Sequence, residues 1–204
     1  MEHSKHWETV YATKPADTVS WYQPAPKPSL DALARIGSFG STGLIDVGGG
    51  ASNLVDALLE HGWHDLTVLD IAQPALDVAR TRIGARSGEV QWVATDITTW
   101  RPERTYAIWH DRAVFHFLTE AADRHGYRAA LRQGLATGGH LLMATFAVGG
   151  PERCSGLPIV QYGPDALSAE LGDDFALQDS WREEHVTPAG GVQAFNWCLF
   201  RKVD

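Results

Sequence analysis

The chain has 204 residues, an apolar fraction of 44% and a formal net charge of −8. This length fits one domain with a substantial core, and the acidic balance gives no basic surface for binding nucleic acid. Apolar runs of about 18 residues are absent, so we expect no membrane-spanning segment. The only two cysteines, Cys154 and Cys198, are too few for a disulfide framework, which favours a cytoplasmic protein.

The first 30 residues combine aromatic side chains with four prolines. Prolines at this spacing interrupt a long helix, whereas aromatic residues are too frequent here for a disordered tail. We therefore predict that residues 1–30 form a short helix and an extended arm. This arm would pack as a lid onto a core at residues 31–204, and the whole chain would be a single domain. Trp21 and Tyr22 are its candidates for covering a pocket.

From residue 44 onward, apolar runs typical of strands alternate with segments that have helical spacing. The strand predictions cover Leu44–Val47, Leu66–Leu69, Val90–Ala94, Tyr106–Trp109 and His140–Phe146. The helix predictions cover Ser52–His61, Pro74–Ile83, residues 121–135 with Gly138-Gly139 as the stop, and Pro164–Leu171. Two last strands, Phe175–Val186 and Gln193–Arg201, are joined by a turn that is too short for a parallel crossover. The pattern predicts a doubly wound, Rossmann-like α/β sheet of seven strands, mostly parallel, with one antiparallel strand in the C-terminal hairpin.

A glycine turn follows the first predicted strand, in the stretch Asp46-Val47-Gly48-Gly49-Gly50. Ligands of such sheets bind beyond the carboxyl ends of the strands, and glycines let them approach the backbone closely. Proteins that bind NAD, FAD or S-adenosylmethionine (SAM) all use a turn of this kind. Asp46 favours SAM, because its carboxylate would repel a pyrophosphate but can hold the ammonium group of the SAM amino acid tail.

Two further acids end the next two strands. Asp70, followed by Ile71, has the position from which a carboxylate accepts hydrogen bonds from ribose hydroxyls. Asp96 can bind an adenine amino group, and Ile97 can cover the ring. A helix cap or a loop would explain each acid alone, but acids at three successive strand ends favour one cofactor site.

Together these motifs resemble the cofactor motifs of class I SAM-dependent methyltransferases, and the resemblance covers about residues 40–200. It implies SAM as the cofactor, S-adenosylhomocysteine as its product, and a sheet in which the seventh strand lies between the fifth and the sixth. The family often has a further glycine where this chain has Ser52.

The segment after the fourth strand, His110-Asp111-Arg112-Ala113, resembles the Trp-Asp-Arg-Gly stretch of the thiopurine methyltransferase-like branch. Its continuation is also similar to uncharacterised bacterial methyltransferase-domain proteins. The branch methylates thiols, selenium and related soft nucleophiles, so the resemblance implies a small-molecule acceptor of this kind. Ala113 replaces the glycine of the branch.

Several polar residues near this edge are candidates for catalysis. His116 is the first candidate for a general base and His110 the second, although either could be a packing residue. His110 is also a candidate for binding the cofactor. Asp111 and Arg112 could orient a polar substrate or form a structural ion pair. The other candidates for binding substrate, besides the two arm residues, are Arg112, Phe115, Cys154 and His185. No metal site is expected, because no metal-type spacing surrounds Cys154.

Three other functions remain open at this point. A protein-lysine methyltransferase would need an open acidic groove for a peptide, and a SAM-binding module without catalysis would need only the cofactor site. Asp46 disfavours an NAD-dependent oxidoreductase. The pattern predicts neither the acceptor atom nor the oligomeric state.

Overall fold

The computed structural model describes residues 2–37 and 42–203. Its strands are β1 (Leu44–Val47), β2 (Leu66–Asp70), β3 (Val90–Ala94), β4 (Tyr106–Arg112), β5 (Leu135–Phe146), β6 (Arg153–Cys154), β7 (Leu157–Pro158), β8 (Phe175–Val186) and β9 (Val192–Lys202). Its helices are α1 (Glu2–Thr13), α2 (Lys27–Ile36), α3 (Leu54–Glu60), α4 (Gln73–Ile83), α5 (Ala121–Gly134) and α6 (Pro164–Leu171).

Seven of these strands form one sheet in the order β3-β2-β1-β4-β5-β9-β8. The pairings among β1 to β5 are parallel, and β9 runs antiparallel to both of its neighbours. The predicted doubly wound Rossmann-like sheet, with its C-terminal hairpin and its inserted last strand, is confirmed. The short strands β6 and β7 form a separate hairpin in the loop after β5.

Two apolar layers cover the sheet, because successive side chains of a strand point to opposite faces. On β4, Ile108 packs into the core that includes α2, α3 and α4, whereas Trp109 packs into the core that includes α5 and α6. The same alternation places His110 and Arg112 on the first face and Asp111 on the second. This division decides which of the polar residues at the end of β4 can share a site.

Two local predictions are corrected by the structure. The arm contains a second helix, α2, which tolerates Pro28 because a proline in the first helical turn removes no intrahelical hydrogen bond. Gly138-Gly139 do not end α5, which stops at Gly134, but lie inside β5. A Cβ atom on Gly139 would lie 2.9 Å from the Ala107 carbonyl oxygen of the neighbouring strand, so close strand packing explains this glycine.

Within the described ranges, no helix combines the length and apolar character that crossing a bilayer requires. Residues 2–37 and 42–203 also contain no group of three histidine, cysteine or acidic side chains arranged to hold a metal ion.

Candidate functional site

Two adjoining cavities lie at the carboxyl ends of the central parallel strands. The first has a volume of about 220 Å³ and the second of about 60 Å³. Tyr11, Trp21, Gly48 and Arg112 line both cavities. The two spaces therefore form one elongated site that passes over the glycine turn after β1.

The glycine turn brings the backbone and two carboxylates close together. Gly48 has a φ angle of +69°, which favours glycine, and a Cβ atom there would overlap the Val114 side chain. A Cβ atom on Gly50 would lie 2.6 Å from an Asp70 carboxylate oxygen. Any larger residue at these positions would displace the wall of the first cavity.

The acids that end β2 and β3 both line the first cavity. Asp70 accepts a hydrogen bond from the Ala72 amide at 2.8 Å, and Asp96 accepts one from the Thr98 amide at 2.9 Å. Burial raises the pKa of Asp70 from 3.8 to about 7, and the nearby Asp46 carboxylate adds to the rise. Asp70 is therefore a strong hydrogen-bond acceptor that lacks a cationic partner to hold its charge in the described part of the chain.

The second cavity contains a chain of three hydrogen-bonded side chains. His110 Nδ1 lies 2.7 Å from Asp46 Oδ1, and its Nε2 lies 3.0 Å from the Ser29 hydroxyl. A ring protonated at Nδ1 donates to Asp46 and accepts the hydrogen bond of Ser29. All three residues line this cavity, so α2 reaches the end of β1 through His110.

The predicted cofactor residues are thus brought together at one place. Those that line the first cavity are Gly48, Asp70, Ile71, Asp96 and Ile97. Those that line the second cavity are Asp46, Gly48, Gly49 and His110. Gly50 lies beneath the turn, where its lack of a side chain makes room for Asp70.

Comparison with known proteins agrees with this geometry. Residues 44–139 match the family model described as "Methyltransferase domain". No curated protein matches the sequence.

Solved structures show the same fold over nearly the whole chain. A SAM-dependent methyltransferase from Anabaena variabilis has a TM-score of 0.79 at 14% identity, and the match covers 99% of this chain and 96% of that one. The N-methyltransferase NodS from Bradyrhizobium japonicum has a TM-score of 0.75 at 16% identity, with coverages of 98% and 99%. The 1,6-didemethyltoxoflavin-N1-methyltransferase from Burkholderia thailandensis has a TM-score of 0.73 at 20% identity, with coverages of 100% and 90%.

The rest of the site is aromatic. Trp21 lines both cavities, and Tyr22 lines the second. Trp7 packs edge-on against Trp21 at 5.5 Å between ring centroids and against Phe117 at 5.1 Å. Phe195, on β9, completes this wall of the first cavity. The N-terminal arm therefore supplies a large part of the enclosure.

Arg112 borders both cavities, but it does not pair with Asp111. The two side chains point to opposite faces of β4, so neither the predicted orienting pair nor a structural ion pair forms. Asp111 accepts hydrogen bonds from the Val114 amide at 2.9 Å and from the Tyr127 hydroxyl at 2.7 Å. Asp111 is fully buried, lines neither cavity, and holds the loop after β4 in place.

His116, the first candidate for a base, is also placed away from both cavities. Its ring is fully buried between Phe117 and Phe146, and its Nδ1 accepts a hydrogen bond from the Phe146 amide at 3.3 Å. Burial and the charge of Arg112 lower its pKa to about 3. His116 is therefore neutral near pH 7 and packs the core, where it cannot contact a substrate in either cavity.

Phe115 and His185 are packing residues as well. Phe115 is fully buried against Tyr127, at 4.9 Å between ring centroids. His185 Nε2 lies 2.7 Å from the Ser20 carbonyl oxygen, so a protonated Nε2 ties the arm to β8. Neither side chain lines the two cavities.

Cys154 lines the first cavity, in the short hairpin of β6 and β7. Burial raises the pKa of its thiol from 9.0 to about 12. A thiol of this kind is a poor nucleophile, because the reactive form is the thiolate. The structure therefore favours a contact role for Cys154 over a reactive one.

Sequence reasoning missed several residues of the site. Trp7 and Tyr11 lie in the predicted arm, but the pattern does not distinguish them from its other aromatic residues, and it gives no signal for Ser29. The sequence does not indicate that Phe117 lines the cavity and Phe115 does not, because this depends on the geometry of the loop after β4. Phe195 is far from the other residues in sequence, and its position follows from the insertion of β9 beside β5.

Proposed function

We propose that this chain is a SAM-dependent methyltransferase that transfers a methyl group to a small-molecule nucleophile. The observation that carries the proposal is the joined pair of cavities, with carboxylates at three strand ends and the glycine turn between them. We also propose that the chain is a single domain in which residues 1–30 act as a lid.

The residues present fit the two ends of SAM. In the first cavity, Asp70 would bind the ribose hydroxyls, Asp96 the adenine amino group, and Ile71 and Ile97 would cover the ring. In the second cavity, Asp46 would attract the ammonium group of the amino acid tail. His110 would keep Asp46 in place through their 2.7 Å hydrogen bond.

Bound SAM supplies a methyl group on a sulfonium, which needs no further activation as a leaving group. The task left to the protein is to position the acceptor and to keep water out. The aromatic wall and the arm would contribute to both, because Trp7, Tyr11, Trp21 and Phe117 line the first cavity.

The acceptor that we propose first is a thiol or another soft atom. Two histidines were candidates for a base, but His116 is buried away from the cavities and His110 has both ring nitrogens engaged. An acceptor that ionises near neutral pH, or that has a free lone pair, needs no base of this kind. A nitrogen acceptor is the second candidate, since two of the structural neighbours are named N-methyltransferases.

The enclosure argues against a protein-lysine methyltransferase. Residues of α1 and Trp21 line the first cavity, so this cavity suits a small molecule better than an extended peptide. A module that binds SAM without catalysis would not need the aromatic wall that this cavity has in addition to the cofactor residues.

The test of the proposal combines binding with turnover. Calorimetry with SAM, S-adenosylhomocysteine and NAD should show binding of the first two alone. Methyl-labelled SAM should then label members of a panel of thiols and amines. Binding of NAD alone would overturn the cofactor assignment, and labelling of amines but of no thiol would overturn the soft-atom acceptor.

A further inference from the structure

The side chain of Arg112 has hydrogen-bonding capacity that the described structure leaves unused. It is 10% exposed, and within residues 2–37 and 42–203 its Nε and Nη2 atoms are buried without a hydrogen-bond partner. A buried donor that forms no hydrogen bond is unfavourable, and a charged one more so. A group that is absent from the protein itself is therefore the natural hydrogen-bond acceptor for these two atoms.

The neighbours of Arg112 fix its position but do not satisfy it. Its Nη1 donates to the Trp21 carbonyl oxygen at 3.2 Å, and its guanidinium carbon lies 4.5 Å from the centre of the Phe195 ring. Glu183 Oε1 forms an ion pair with Nη2 at 3.6 Å, which is slightly beyond hydrogen-bond distance. Glu183 accepts hydrogen bonds from Gln23 at 3.1 Å and from Trp197 at 2.6 Å, so it balances the charge of Arg112 without accepting a hydrogen bond from it.

The unused atoms form one edge of the guanidinium group. Nε and Nη2 carry parallel N–H bonds, and this edge matches the two oxygens of a carboxylate. Because Arg112 borders both cavities, a ligand in the first cavity is the candidate partner. Beside it, the rings of Trp7, Trp21 and Phe117 meet edge-to-face, a wall that suits a flat apolar ring.

We propose that the methyl acceptor is an aromatic molecule with a carboxylate group, which binds the Nε–Nη2 edge of Arg112 while its ring packs against Trp7, Trp21 and Phe117. This inference rests on the proposed function, because the acceptor must lie beside bound SAM. It adds a substrate class that the fold does not specify. The carboxylate selects the molecule and sets its orientation, and the aromatic ring presents the nucleophilic atom.

Binding to the protein loaded with S-adenosylhomocysteine tests the inference without knowledge of the acceptor atom. Calorimetry would compare 2-naphthoate with its uncharged amide, 2-naphthamide. We expect the acid to bind at least about tenfold more tightly. Arg112→Lys keeps the charge but loses the paired edge, and it should weaken binding of the acid by about 10- to 100-fold while the amide changes little. Arg201→Lys, at an exposed position near the other end of β9, is the matched control.

Three results would overturn the inference. Equal affinity for the acid and the amide would show that the carboxylate does not contribute to binding. An unchanged preference for the acid in Arg112→Lys would show that another residue binds the carboxylate. A loss of S-adenosylhomocysteine affinity in Arg112→Lys as large as the loss for the acid would instead assign Arg112 to the cofactor tail.

The controls separate these results from misfolding and from failure of the proposed function. If the wild-type chain does not bind S-adenosylhomocysteine, the proposed function fails and this inference fails with it. The double variant Arg112→Met with Glu183→Gln removes both charges, so it leaves no buried ion unpaired. It should melt cooperatively, retain binding of S-adenosylhomocysteine, and lose the preference for the acid.

Discussion

Replacing Asp70 with asparagine should make the chain more stable and its cofactor site weaker. The carboxylate is 6% exposed, and burial raises its pKa from 3.8 to about 7. Asparagine keeps an oxygen that can accept the 2.8 Å hydrogen bond of the Ala72 amide, but it carries no charge. The substitution therefore removes the unfavourable buried charge and keeps the local hydrogen bond.

The size of the stability gain follows from the pKa. A rise from 3.8 to about 7 corresponds to about 4 kcal/mol, at about 1.36 kcal/mol per pH unit, and water in the cavity makes this a maximum. Between these two values the folded state binds a proton that the unfolded state releases, so wild-type stability falls as the pH rises. The advantage of Asp70→Asn should thus be absent below pH 3.8, grow up to about pH 7 and stay constant above it.

Thermal unfolding from pH 4 to pH 8 and calorimetry with S-adenosylhomocysteine measure both effects. At pH 8 the melting temperature should rise by roughly 16 °C at most, and the affinity should fall by about 10- to 100-fold. Asp173→Asn, in an exposed turn, is the control and should change neither quantity. A gain that does not depend on pH, or an unchanged affinity, would refute this reasoning.

Three other predictions follow from single contacts. Gly48→Ala should lower the free energy of unfolding by about 1–3 kcal/mol, because the alanine Cβ atom would overlap the Val114 side chain. Chemical denaturation should show that Val114→Ala, added as a second substitution, restores part of this loss. Ser29→Ala removes the 3.0 Å hydrogen bond to His110 and should destabilise by about 0.5–1.5 kcal/mol in the same assay, so an unchanged midpoint would contradict the bond. Cys154, with its pKa raised to about 12, should react with iodoacetamide at pH 8 only after the chain is denatured, and rapid labelling of the native protein would show that its thiolate is accessible.

Local patterns in the sequence determined most of the fold. The apolar runs from Leu44 onward predicted where the strands lie, since a strand buried on both faces cannot tolerate polar residues. The short turn before β9 predicted the antiparallel hairpin, because two parallel strands need a long crossover. The same connections predicted that Asp70 and Asp96 meet at one edge, since parallel strands end together there.

Only the tertiary structure decided which side chains become partners. Arg112 lies near Glu183 and His110 bonds to Ser29, and each pair joins elements that are distant in the sequence. Strand alternation could have separated Asp111 from Arg112, but it does not reveal what each one meets on its own face. The pattern fixes a residue's position along its own element, whereas its partners depend on how distant elements pack against that element. For this reason the pattern predicted that the acids at the strand ends and Trp21 lie together, but it did not predict the contacts of Trp7, Phe117 and Phe195.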